Sequence, residues 1–198
     1  MSIEYSVKEV KNIQYDIHRE LILRCQADDR VAQNELYKRY AGAMYNICRR
    51  MLNDDDDAKD MLQEVFVEAF LKIGSLKELT TFSAWIKRIA VNKCINAIKK
   101  KRIFAISIDE SIDPTEETES IDKDIIGNDA KKVMKALEQI SDGCRTVFNL
   151  YLFEGYDHKE ISQIMGISES ASKSQYSKAK QKIRDLLKTK KFHSYGNE

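Results

Sequence analysis

Apolar positions recur along this chain at steps of three and four, the period of helices that bury one face. From Glu20 the series Leu21, Ile22, Ala32, Leu36, Tyr40, Met44, Ile47, Cys48 and Met51 keeps that step. The run Asn53-Asp54-Asp55-Asp56-Asp57 interrupts it. Short acidic and amide side chains favour caps, and their charge suits the positive end of a helix dipole, so this run is expected to open the next helix. That helix, over residues 57–73, carries the cleanest stripe of the chain: Leu62, Val65, Phe66, Ala69, Phe70 and Ile73, with Gly74 as a natural C′ stop. A loop over 75–81 leads to a helix over 82–102, FSAWIKRIAVNKCINAIKKKR, with Phe82, Trp85, Ile86 and Ile89 along one side. Trp85 is therefore read as core. Past residue 129 the period returns in Val133, Leu137 and Ile140, then in Val147, Phe148, Tyr151 and Leu152.

The stretch 103–129 breaks the pattern. It holds Asp109, Glu110, Asp113, Glu116, Glu117, Glu119, Asp122, Asp124 and Asp129, the one proline (Pro114) and few apolar side chains. Such a segment cannot bury enough surface to fold by itself. It reads as a flexible acidic linker, either a solvated tether or a flap over a basic groove when nucleic acid is absent. One proline and seven glycines in 198 residues are too few turn formers for a β protein. The expected fold class is all-α. An extension (1–19) precedes a helical domain (20–102); the linker (103–129) joins it to a second small helical domain (130–190) and a tail (191–198).

Charge adds what periodicity does not. The net charge is only +1, yet the cations are segregated. The helix over 82–102 holds Lys87, Arg88, Lys93, Lys99, Lys100, Lys101 and Arg102 and no acid. The helix over 170–191 holds Lys173, Lys178, Lys180, Lys182, Arg184, Lys188, Lys190 and Lys191 against Asp185 alone. Two cationic helices with acids elsewhere suit a polyanion. Other chemistries are poorly supported. Cys25, Cys48, Cys94 and Cys144 lack paired spacing and read as small buried thiols, not a zinc site. His18, His158 and His193 stand apart, and no glycine-rich phosphate loop appears, so no enzyme activity, cofactor or metal is expected. The first twenty residues lack the apolar core of a secretory leader, and no apolar run reaches membrane-spanning length. A cytoplasmic protein without membrane insertion is expected.

The C-terminal part has a more specific pattern. Asp157 with Glu160 fits a capping box for a helix ending at Met165. Gly166 can take the left-handed turn, Ile167 supplies a core contact, and Ser168 can cap the next helix. Tyr176, Ala179, Ile183, Leu186 and Leu187 form that helix's inner face. Two helices joined by a short glycine turn are the helix-turn-helix arrangement, whose second helix enters the major groove. Ser170, Lys173, Ser174, Ser177, Lys178, Gln181 and Arg184 would face outward, and Gln175 or Gln181 could pair an adenine edge. An ordinary helical hairpin with a lysine-coated solvent side fits the same spacing. The cap, the glycine and the one-sided cations together favour DNA.

DAKDMLQEVFVEAF, residues 57–70, resembles the region 2.2 helix of bacterial sigma-70-type factors, and FSAWIKRIAVNKCINAIKKKR resembles their regions 2.3–2.4. The C-terminal helix pair is similar to region 4.2. Nothing corresponds to regions 1.1 or 3, a reduced plan similar to the extracytoplasmic-function (ECF, group 4) sigma factors. The resemblance implies a sigma factor that binds core RNA polymerase and directs promoter-specific initiation. Asp60, Gln63, Glu64 and Val67 would meet the β′ clamp helices. Lys87, Arg88, Asn92, Lys93, Asn96, Lys99 and Lys100 would hold the melted non-template strand of the −10 element. Ser170, Lys173, Ser174, Gln175, Ser177, Lys178 and Gln181 would read the duplex −35 element. The β flap is the other implied polymerase contact, and an anti-sigma factor is a candidate further partner. The alternative is a polymerase-independent helix-turn-helix regulator. Two segments depart from the family pattern: residues 74–81 read GSLKELTT, and 170–180 read SASKSQYSKAK where many relatives read GTVKSRLxRAR. Gln175 and Tyr176 stand where Arg and Leu are usual, so promoter preference does not carry across.

Overall fold

A computed structural model describes residues 18–105 and 130–193, and these form helices and turns without strands. The linker beyond residue 105, the extension before residue 18 and the tail after residue 193 lie outside the described residues. The helices are α1 (residues 18–26), α2 (Arg30–Leu52), α3 (Asp55–Lys72), α4 (Phe82–Ala105), α5 (Ala130–Leu137), α6 (Asp142–Leu152), α7 (His158–Met165) and α8 (Glu169–His193). They group into two compact units. Of the described residues, the first takes 18–49 and 54–93, and the second takes 50–53 and everything from Cys94 on.

In the first unit the apolar series from Glu20 is split. Asp28 adopts a positive φ of 59°, a conformation that Asp tolerates better than most residues. Asp29 then caps α2: its Oδ1 accepts the N–H groups of Val31 (2.8 Å) and Ala32 (3.2 Å). The core joins Ile22 and Cys25 of α1, Leu36 and Cys48 of α2, Val65 and Phe66 of α3, and Phe82, Ile86 and Val91 of α4. Trp85 is half-buried at its edge, 5.7 Å from the Phe82 ring. The Tyr40 ring lies 5.0 Å from Phe82, and the Tyr40 hydroxyl lies 3.0 Å from His18 Nε2. Burial, with Arg39 nearby, holds the His18 imidazole below its ordinary value. Burial likewise pushes the Cys25 thiol up to about 11, which keeps it protonated and unreactive. Cys48 and Cys94 are buried as well, whereas Cys144 is half-buried, and none of the four is in a disulfide.

The aspartate run does open α3. Asp54 Oδ1 accepts from Asp56 N–H (3.0 Å) and Asp57 N–H (2.9 Å), and Asp55, Asp56 and Asp57 fill the first turn. The helix therefore starts two residues earlier than periodicity suggests. Gly74 is not its left-handed stop, because the glycines with positive φ are Gly155 and Gly166. The chain instead leaves α3 through a 3-10 turn, Ile73–Ser75, with Leu76 N–H donating to Ile73 O. The side-chain amide of Gln26 donates to Ile73 O (2.9 Å) and Leu76 O (3.0 Å). A side chain from α1 thus braces the turn that ends α3.

In the second unit α8 packs against α5, α6 and α7. Val133, Leu137, Phe148, Leu150, Ile161, Tyr176, Ala179 and Ile183 are buried between them. Both halves of the expected capping box are present: Glu160 N–H donates to Asp157 Oδ1 (2.7 Å), and Asp157 N–H donates to Glu160 Oε2 (2.9 Å). Gly166 takes the left-handed conformation at φ 69°, and Ser168 Oγ accepts Ala171 N–H at 3.0 Å to start α8. Ile167 is half-buried, as are Leu186 and Leu187. Asp157→Ala is expected to destabilise this unit by about 1 kcal/mol, and Asp157→Asn, which keeps an acceptor, to recover most of it. Thermal melts of the three proteins check this. Among the described residues no helix is long and apolar enough to cross a membrane.

Candidate functional site

Three surfaces carry the chemistry anticipated from the sequence. On α3, helical spacing brings Asp60, Gln63, Glu64 and Val67 to one side, where they line a single shallow groove. Glu68, Leu71 and Lys72 continue that groove, and Lys93 of α4 borders it. Val67 is 60% and Leu71 81% exposed, an apolar strip rimmed by acids. Sequence reasoning missed Glu68 and Leu71. The signal was available, since each sits four residues beyond a member of the expected set.

On α4, Arg88, Asn92, Asn96, Lys99 and Lys100 are all exposed, opposite the buried Ile86, Ala90, Val91 and Cys94. The asparagines share one side, as expected from their spacing of four. Lys87 is half-buried at the margin of this arc. Lys93 needs a correction. It is turned towards α3, where its Nζ lies 3.1 Å from Glu64 Oε2 and 3.3 Å from Glu68 Oε2. Burial pulls the Lys93 ammonium down, and the hydrogen bonds to both glutamates more than offset it, so it sits above the ordinary lysine value. A hydrogen bond from Lys72, opposed by burial and aided by Lys93, holds Glu68 below the usual carboxylate range. Lys93 therefore belongs to the α3 groove before it belongs to a nucleic-acid surface.

On α8, Ser172, Tyr176, Ala179 and Ile183 form the buried stripe. Ser170, Lys173 and Gln181 are exposed, and Ser177 and Lys178 are partly so. Two of the expected residues, Ser174 and Gln175, are half-buried here. Gln175 follows Ser172 by three and precedes Tyr176 by one, which sets it on the flank of the buried stripe. Its Oε1 is enclosed and has no hydrogen-bond partner. Ser174 lies on the outer arc, but its short side chain keeps Oγ at the helix surface, where it too is enclosed. The outward polar groups hold one another loosely. Lys173 Nζ lies 3.2 Å from Glu169, Gln181 Nε2 donates to Asp185 at 3.0 Å, and Gln181 Oε1 accepts from Arg184 at 2.9 Å. Exposed pairs of this kind are worth under about 1 kcal/mol, so a phosphate can displace them.

Comparison with known proteins fits this layout. The model of Sigma-70 region 2 matches residues 36–103, and that of Sigma-70, region 4 matches residues 130–183. The chain is 24% identical over 168 residues to the ECF RNA polymerase sigma factor SigM of Mycobacterium tuberculosis (strain Erdman), covering 85% of this chain and 83% of that protein. It is 25% identical over 199 residues to the ECF RNA polymerase sigma factor SigW of Bacillus subtilis (strain 168), covering 95% and 98%. Among solved structures, the fold matches the sigma factor RpoE in complex with the anti-sigma factor NepR from Bartonella quintana. The TM-score is 0.51 at 20% identity, covering 78% of this chain and 96% of that one. CnrH in complex with the cytosolic domain of CnrY matches with the same score and identity, covering 87% and 97%. With region 2 and region 4 both matched in chain order, this chain belongs to the sigma-70 family of bacterial RNA polymerase sigma factors, in its extracytoplasmic-function subfamily.

Proposed function

We propose that this chain binds core RNA polymerase and directs it to promoters, holding the −10 element through α4 and the −35 element through α8. It has no catalytic chemistry of its own and works in the cytoplasm, where polymerase is. One observation carries the reading: two separate family models match in the family's order, and each matched segment presents a surface of fitting chemistry. The working domains are residues 18–105 and 130–190, α4 running three residues into the expected linker, with the remainder to 129 as the tether.

The roles follow from the side chains. Asp60, Gln63 and Glu64 give the α3 groove a negative rim that suits a basic partner such as the β′ clamp helices and speeds encounter. Val67, with Leu71, supplies the apolar centre that water leaves on docking. Arg88, Asn92, Asn96, Lys99 and Lys100 combine amides with cations, which suits a strand whose bases are unstacked. Lys87 and Lys93 contribute from the margin. Ser170, Lys173, Ser177, Lys178 and Gln181 meet duplex DNA in the major groove. The second unit also meets the β flap. An anti-sigma factor is a further partner, in keeping with the solved complex of the sigma factor RpoE with the anti-sigma factor NepR.

Each module binds weakly by itself, and polymerase sets their spacing, so tethering raises the effective concentration of the second contact. Gel shifts on a selected promoter should therefore show tight binding only with core polymerase present. Tight binding by the chain alone would favour the polymerase-independent regulator. Lys173→Gln with Lys178→Gln should reduce the slope of log affinity against log salt by about 1.8 for the holoenzyme, at roughly 0.9 per duplex phosphate contact. Polymerase binding should be unchanged.

A further inference from the structure

His158 opens α7, and its half-buried ring packs between Tyr151 and α8. Its Nδ1 lies 2.9 Å from Ser172 Oγ on α8. The imidazole stacks on Tyr151 with centroids 4.6 Å apart and planes 18° apart, and it meets the edge of Tyr176 at 5.7 Å. Tyr176 in turn lies 4.5 Å from Tyr151 and stacks on Phe148 at 5.6 Å. Ser172 is fully buried and His158 half-buried, so the contact lies at the margin of the packed core. His158 thus touches both Ser172 and Tyr176, two members of the buried stripe of α8.

The kind of contact matters for aim. An aliphatic contact is non-directional and tolerates a small rotation of one helix about its axis. A hydrogen bond has a preferred line, and a ring stack has a preferred plane. A roll of about 20° swings side-chain ends at a radius of about 5–6 Å through about 2 Å. That is enough to break a hydrogen bond to a base edge while leaving phosphate attraction intact. We propose that His158 is a positioning residue for −35 recognition. Its hydrogen bond to Ser172 fixes the roll of α8 and so aims Ser170, Lys173 and Ser177 at the groove. The proposal rests on the reading of α8 as the −35 helix.

The test uses holoenzyme made from core RNA polymerase and the full chain. Initiation is compared between a selected promoter and versions with single base-pair changes at −35. His158→Phe keeps a stacking ring and removes the hydrogen bond, Ser172→Val replaces the hydroxyl with an apolar group of similar size, and His158→Asn offers an amide at the Nδ1 position. His158→Phe and Ser172→Val should each reduce −35 discrimination about tenfold, with melting temperature, polymerase binding and affinity for unrelated duplex retained. The double variant should be no worse than either single one, and His158→Asn should recover most of the discrimination. Unchanged discrimination in the folded His158→Phe and Ser172→Val proteins overturns the proposal, as does equal loss in His158→Asn. If wild-type holoenzyme responds to no −35 change at all, the −35 reading of α8 fails first and the proposal goes with it.

Discussion

Glu64→Lys combined with Val67→Asp is expected to weaken assembly with core RNA polymerase by about 100-fold or more, with almost no change in melting temperature. Both side chains are about 60% exposed, so their replacement removes little from the core. Substitutions at such positions usually stay within about 0.5 kcal/mol of wild type. At a charge-complementary interface the balance differs. One close charge pair is worth about 1.5 kcal/mol or more, and reversal turns its attraction into repulsion. Placing a carboxylate at the apolar centre adds the cost of leaving a charge unpaired once water is excluded. Lys93 complicates the single change, because Glu64→Lys also removes one of its two carboxylate partners. Lys93→Gln is therefore the control, and it should lower polymerase affinity far less than the pair. Titration of labelled core enzyme alongside thermal melts gives both numbers. Normal assembly by the folded double variant would move the polymerase contact away from α3.

What the sequence revealed was mostly what short-range hydrogen bonds decide. The Asp157–Glu160 box, the left-handed Gly166 and the Ser168 cap close within a few residues, so their partners stand side by side in the chain. The aspartate run before α3 was legible for the same reason. Gly74 was misread because the turn around it is braced from a distance: Gln26 donates to Ile73 O and Leu76 O, 47 and 50 residues away. The break at Asp28 was hidden because the apolar step continues across it, and a single left-handed aspartate leaves no mark on the pattern.

The site divides along the same line. Asp60, Gln63, Glu64 and Val67 came together because one helix's period is enough to group them. Lys93 was assigned to DNA from its neighbours on α4, yet its carboxylate partners belong to α3, 25 and 29 residues earlier. Only the packing of one helix on another could show that. Gln175 marks the limit of phase. A single position separates the arc facing solvent from the flank of the Ser172–Tyr176 stripe, and pattern alone does not fix rotation that finely.

Phe148→Ala should remove most of the stability of the second unit and with it all response to the −35 element. Phe148 is fully buried and packs its ring on Tyr176 at 5.6 Å and on Phe153 at 6.2 Å. Truncating a buried phenylalanine to alanine costs about 3–5 kcal/mol, the transfer energy plus the cavity it leaves. A small helical unit has a total of only about 5 kcal/mol to lose. The amides of α6, α7 and α8 should then exchange hydrogen nearly as fast as an unfolded chain. Those of α2 and α3 should keep their protection, because Leu36, Val65, Phe66 and Ile86 form a core that does not include Phe148. Assembly with polymerase through α3 should survive in weakened form once the second unit's contact is gone, so binding and promoter selection would separate in one variant. Phe148→Leu, which refills most of the cavity, should restore a large part of both protection and selection. If α2 and α3 lost protection together with α8 in the Phe148→Ala protein, the two units would share one cooperative core, and a plan of two separately folded promoter-binding modules would have to be abandoned.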